Sequence, residues 1–376
     1  MQLTKGAIGN LINRYKAVLK KCHLMNTFGS LAVAGMLVMG GAGVAAGATD
    51  RSINNGTLTV DNDSFNDLQS PNNGGAIWNN STATITDATF DSNKATSNGG
   101  AIQNSDMLTV TDGKFDNNWA NKYGGAIYNN TNGTLTVTDG SFNDNTANRY
   151  GGAIFNVQDS TLVVKNTIFK NNNANTFEGG AIWNRGTATI TNATFDGNTA
   201  GHEGGAIYND GVLFLTGTNT FTNNTAADKP NDIYNAGTIT VEGGTTTLGS
   251  GLIMANTGTV KVLNSTMQIG ALTANGGTMF VDPAYVKIDS VASSTFGTQL
   301  LVSSGSTVNI GGMPEADMRQ AMEKAGMSVG PNFTVGANQS VLVLGQALTL
   351  GAGGKIVVDA DVTDTGTIPG TSPVAT

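Results

Sequence analysis

Between residues 53 and 247 the chain alternates apolar and polar residues in short bursts, each of them too brief for a helix. In the period from Ala76 to Gly100, the segments Ala76-Ile77-Trp78-Asn79, Ala83-Thr84-Ile85-Thr86 and Ala88-Thr89-Phe90 read as three strands. Asp91-Ser92-Asn93 and Ser97-Asn98-Gly99-Gly100 read as turns between them. Alternation places Ala83 and Ile85 on one face and the threonines on the other, because successive strand side chains point to opposite sides. The pattern recurs in phase. Gly-Gly-Ala-Ile begins at Gly74, Gly99, Gly124, Gly151, Gly179 and Gly204, and Phe-x-x-Asn begins at Phe90, Phe115, Phe142, Phe169, Phe195 and Phe221. A period in the twenties is the mark of a solenoid, whose unit cannot bury its apolar face without stacking on copies of itself.

The prediction is an all-β parallel β-helix of about 25–27 residues per rung, with three short strands in each. Stacked at the strand spacing of about 4.8 Å, two apolar columns would fill its axis. One is Val60, Ile85, Val110, Val137, Val164, Ile190, Leu215 and Val241; the other is Ile77, Ile102, Ile127, Ile154, Ile182, Ile207 and Ile233. The Asn that follows each of these isoleucines recurs as Asn79, Asn104, Asn129, Asn156, Asn184, Asn209 and Asn235. An amide tolerates a corner and can bond to the copies above and below, so these residues are expected to form a structural ladder.

Outside residues 49–247 the pattern changes. Residues 1–48 read as a signal peptide: Arg14, Lys16, Lys20 and Lys21 precede the uncharged apolar stretch Leu31–Val44 and the small-x-small site Ala46-Gly47-Ala48. Residues 248–312 keep the alternation without the markers and read as degenerate rungs. Within 313–327, Pro314, Met318, Ala321, Met322 and Ala325 at helical spacing, with Gly326 after them, predict one short amphipathic helix covering the side or end of the solenoid. Residues 328–358 return to strands, with Val341-Leu342-Val343-Leu344 apolar throughout, and residues 359–376 read as a flexible tail or linker.

Charge and composition narrow the function. The leader carries five of the 19 basic residues and none of the 27 acidic ones, so its removal leaves a balance of −13. Such a surface repels nucleic acid and anionic membranes, and no membrane insertion by the mature residues is expected. Cys22 and His23 both lie in the leader, leaving His202 as the sole histidine and no thiol. Neither a cofactor nor a metal site is expected. Asp61-Asn62-Asp63 and Asn66-Asp67 lack the Gly and Glu of a calcium loop, and Asp91, Asp116, Asp144 and Asp196, which follow the phenylalanines, read as turn formers.

Gly-Gly-Ala-Ile with in-phase Phe-x-x-Asn resembles the polymorphic membrane protein repeats of chlamydiae and, more broadly, the passenger domains of type V autotransporters. The resemblance covers about residues 53–247. It implies a right-handed β-helix, secreted or held at the outer-membrane cell surface of a Gram-negative bacterium. It also implies an adhesin or interaction module, non-catalytic, with a host or neighbouring-cell surface protein or glycan as partner. That family carries a C-terminal membrane barrel, which needs roughly 250 residues of alternating strands. Residues up to Pro373-Val374-Ala375-Thr376 show none, so a truncated passenger or a barrel-less secreted relative is expected.

Two strips are candidate binding residues. The position after each first-strand Ile gives Trp78, Tyr128, Phe155, Trp183, Tyr208 and Tyr234, with Gln103 among them; the corner before Gly-Gly gives Tyr123 and Tyr150, followed by Glu178 and Glu203. Rings in a row are either a structural stack or a docking face. The competing function is a secreted polysaccharide lyase or hydrolase, which would need carboxylates and a basic residue converging on one strand face. The repeat strands show threonines there instead.

Overall fold

The structure is a computed structural model. It describes residues 52–289, apart from 256 and 275–276, together with the strands Gln299–Val302, Thr307–Ile310, Thr349–Leu350 and Lys355–Val358. The expected leader (1–48), helix (313–327), apolar run Val341–Leu344 and tail (359–376) lie outside the described residues.

The chain coils into an all-β parallel solenoid of about nine turns, with no helix among the described residues. Ten strands, from Ser52–Asn54 to Leu272–Ala274, stack as one sheet. The strands typified by Thr82–Thr86 and Thr89–Asp91 stack as a second. A third sheet of eight two-residue strands, such as Lys94–Ala95, adds a fourth strand to each repeat turn beyond the three expected. Two residues are too few to show alternation, so this strand lies unmarked in the sequence between the two turns.

Register is held strand by strand. Ile77 pairs with Ile102, Ile102 with Ile127 and Ile127 with Ile154, while Val110 pairs with Val137 and Phe115 with Phe142. The extra residues of the longer periods sit at corners, where Asn132 and Asp159 adopt left-handed backbone at φ 63°. All the aliphatic columns named above are sealed, at 0–1% exposure. Beside them Phe65, Phe90, Phe115, Phe142, Phe169, Phe195 and Phe221 form a continuous interior column, centroids 4.6–4.9 Å apart and planes within 2–7°.

The Gly-Gly pair is a steric requirement. The first glycine of each pair has φ between 62° and 73°, left-handed backbone that an L side chain resists. At the second, a Cβ on Gly100 would meet the Gly125 carbonyl oxygen at 2.0 Å, and one on Gly125 would meet that of Gly152 at the same distance. Neighbouring turns touch backbone to backbone here.

Two amide ladders run along the buried corners. In the first, each Asn donates its Nδ2 to the Oδ1 of the next: Asn79 to Asn104 at 2.7 Å, Asn104 to Asn129, Asn129 to Asn156 and Asn156 to Asn184 each at 2.8 Å, onward to Asn235. The second consists of the Asn of Phe-x-x-Asn, from Asn93 through Asn118, Asn145, Asn172 and Asn198 to Asn224, with links of 2.9–3.0 Å. Each of these amides also donates to the Phe carbonyl of the preceding turn, as Asn145 does to Phe115 at 2.8 Å. Every polar group of these buried side chains is thus engaged, which is what burial demands. The second ladder ends on Asp232, whose Oδ1 accepts from Asn224 at 2.7 Å and whose Oδ2 accepts the backbone N–H groups of Ser250 and Gly251.

Candidate functional site

Because first-strand residues alternate, the neighbour of each buried Ile points away from the axis. Parallel pairing then aligns Tyr128 with Phe155, Phe155 with Trp183, Trp183 with Tyr208 and Tyr208 with Tyr234. Their rings stack with centroids 5.5, 4.4, 5.9 and 5.1 Å apart. Trp78 is separated from this run by Gln103, which is itself buried.

The second strip lies alongside. Backbone bonds from Gly99 to Tyr123, Gly124 to Tyr150, Gly151 to Glu178 and Gly179 to Glu203 line these four corner residues up on successive turns. The Tyr123 ring sits 4.9 Å from Phe155 and 6.2 Å from Tyr128, and Tyr150 sits 5.2 Å from Trp183 and 5.0 Å from Phe177. The two strips therefore form one band.

The middle of the band differs from a row of open rings. Phe155 is 6% exposed and Trp183 8%, because the corner tyrosines fold over them; Trp78, Tyr128, Tyr208 and Tyr234 are half-buried. Stacking also uses up ring faces. Planes 6–22° apart along the run leave mainly edges and phenol hydroxyls toward solvent.

Charged groups collect at the end of the band nearer the C-terminus. His202 Nδ1 lies 3.6 Å from Glu178 Oε1, and Asn231 donates to Glu203 at 3.3 Å. Burial pushes both glutamates above the usual carboxylate range, a shift that His202 opposes in each case. Tyr208 is pushed up to about 12, first by burial and then by the charges of Glu178, Tyr234, Asp210 and Glu203. On the opposite flank Arg185 reaches 5.2 Å from the Trp183 ring centre and pairs with Asp210 at 3.4 Å. This combination can hold a cation or a donor-rich side chain.

The aspartates after the phenylalanines do different work. Asp91, Asp116 and Asp196 end their strands and accept from Asn117, Asn143 and Asn223 at 3.0, 2.8 and 2.9 Å, and Asp144 takes the left-handed turn at φ 55°. Hydrogen bonds from Asn223 and Thr222 hold Asp196 below its usual range.

Residues 87–105, 112–130, 139–157 and 192–210 each match the Chlamydia polymorphic membrane protein (Chlamydia_PMP) repeat. Four segments of the chain thus match this PMP repeat. Each matched PMP segment begins at a left-handed corner such as Asp87 or Asn192, takes in a column Phe and both ladder amides, and ends just past the first-strand Asn. The repeats and the solenoid together fit an autotransporter-like passenger. No curated protein and no solved structure is matched by this chain.

The PMP motif residues are interior. Its Phe, its two asparagines and its Ile are all at or near zero exposure, so the surface is set by positions the motif leaves variable. The sequence marked Phe-x-x-Asn without showing its role, since an Asn beside a turn is read first as a turn former.

Proposed function

We propose that this chain is an exported, non-catalytic surface module that docks through the outer aromatic band on a protein of a host or neighbouring cell. PMP-repeat proteins are outer-membrane surface proteins, which supports the location. The observation that carries the reading is the band itself: large rings run over several turns on the outside of a solenoid whose interior is already filled. Ring edges and hydroxyls next to carboxylates suit a protein surface. Sugars stack on free ring faces, and here those faces are taken up by neighbouring rings.

The test is binding of the purified chain to cells, with Tyr208→Ala/Tyr234→Ala beside the parent. Central interface aromatics each contribute about 2 kcal/mol, so the pair should abolish binding at micromolar concentration while the melting temperature moves little. Unchanged cell binding by the folded variant would refute the band as the docking face. Binding to a glycan array by the parent would replace the protein partner with a glycan.

A further inference from the structure

The corner strip changes character half-way. Tyr123 and Tyr150 close over the outer column, and Phe155 and Trp183 beneath them are sealed. On the next two turns the same position is Glu178 and then Glu203, and the rings there, Tyr208 and Tyr234, stay half-open. An aromatic lid has become an acidic lip.

That lip has more acceptors than donors. Among the described residues neither glutamate has a Lys or Arg within ion-pair distance: Glu178 has the exposed His202 and its own backbone N–H, and Glu203 has the Asn231 amide. The Asn231 Oδ1, on a residue 2% exposed, has no hydrogen-bond partner, so a third acceptor lies buried on the amide that bonds to Glu203. Arg185 on the far flank is engaged with Asp210, and Lys229 acts on Glu203 only through its field. Half-buried carboxylates without a Lys or Arg partner are costly alone and gain when one arrives.

Resting on the docking role of the band, we propose that its acidic half is a receptor notch for an arginine or lysine side chain of the partner protein. Glu178 and Glu203 hold the cation there, and the Tyr208 and Tyr234 rings flank its stem. Charge complementarity selects this occupant. Long basic side chains lay their methylenes along apolar surface while the head stays with the carboxylates, and Arg185 beside Trp183 shows the band already receiving a guanidinium from its own chain.

The probes are two short peptides, one with three arginines and one with three glutamates, titrated into the full chain and read by the indole N–H resonance of Trp183. The arginine peptide should shift that resonance saturably and the glutamate peptide should not. Glu178→Gln/Glu203→Gln, which keeps shape and removes charge, should weaken the arginine peptide about tenfold or more, as loss of partly buried charge pairs does. Asp91→Asn/Asp116→Asn, acids outside the band, should change it less than about twofold, because charges that do not meet the peptide directly contribute little. Equal binding by the glutamine variant overturns the notch, as does an equal loss in the asparagine variant, which would mean attraction to net charge alone. Cell binding measured in parallel separates the two ideas. If the glutamine variant still binds cells and Tyr208→Ala/Tyr234→Ala does not, the notch fails and the band stands; if both bind, the docking reading falls with it.

Discussion

Two aromatic columns run parallel along this molecule, one inside and one outside, and they differ in how freely their members vary. The inner column is Phe on seven successive turns, with planes within 2–7° and essentially no exposure. The outer one passes through Trp, Gln, Tyr, Phe, Trp, Tyr and Tyr, with planes 6–22° apart and corner rings tilted up to 57° against it. Inside, neighbours on every side fix both size and angle, and a close-packed interior accepts one answer. Outside, one side faces water, so the residue type is released for other purposes. Stacking as such says little about role. Uniformity marks packing, and variation on a constant scaffold marks a surface free to specialise.

The sharpest way to break this comparison is to cut the inner column. Phe142→Ala should cost about 3–5 kcal/mol, read by chemical denaturation, and loosen the turns on either side. Tyr208→Ala in the outer column should cost well under half of that. Equal losses would make the outer column a second core. Next comes the buried ladder: Asn145→Ala removes the oxygen that accepts from the Asn118 backbone N–H and Nδ2, and the Nδ2 that donates to the Phe115 carbonyl and Asn172 Oδ1, and should cost about 2–4 kcal/mol, since each orphaned buried group costs about 1–3 kcal/mol. Asn80→Ala, whose amide bonds to Asn55 at the surface, is the matched control and should be nearly silent.

A smaller effect is expected at the end of that ladder. Asp232 must accept from Asn224 on one oxygen and from two backbone N–H groups on the other. Asp232→Asn turns one of those oxygens into a donor, and a cost of about 1–2 kcal/mol should appear in denaturant midpoints at neutral pH. The smallest effect belongs to the acidic lip. Burial raises Glu178 and Glu203 above 4.5, so the fold disfavours their charged forms. The penalty is absent below the ordinary value and sets in as pH rises through the raised one. Glu178→Gln/Glu203→Gln should therefore match or slightly exceed the parent in melting temperature at pH 7, with any gain vanishing near pH 4. Destabilisation at pH 7 would mean that these carboxylates are structural, not held ready for a partner.

The repeat made the solenoid legible. In-phase Ile and Val with period-two alternation leave one geometry that buries them all, and Asn79 to Asn235 after each Ile could be read as a corner ladder from position alone. Two things stayed hidden for identifiable reasons. The strand Lys94–Ala95 is too short to carry a pattern. The burial of Phe155 and Trp183 comes from Tyr123 and Tyr150, more than 30 positions away in sequence, and no local periodicity shows which corner ring closes over which neighbour. The acidic lip was visible as letters, but its lack of a Lys or Arg partner depends on where Arg185 and Lys229 come to rest.

The second amide ladder has a direction, and with it a grammar of growth. Each asparagine receives from the turn before and gives to the turn after, so any turn between Asn93 and Asn224 offers its neighbours the same handshake. A duplicated turn could enter anywhere in that run without either neighbour noticing, and chains built this way lengthen by whole units. Asp232 receives but has no hydrogen to hand on. Placed mid-run it would leave the next oxygen facing a carboxylate, so it serves as the full stop. The amide dipoles pointing toward it present their positive end, where an anion belongs, as at a helix N-terminus. Length on one side of Asp232 is therefore open to evolutionary revision, and the described turns beyond it, which continue neither the inner Phe column nor this second ladder, are free to follow other rules.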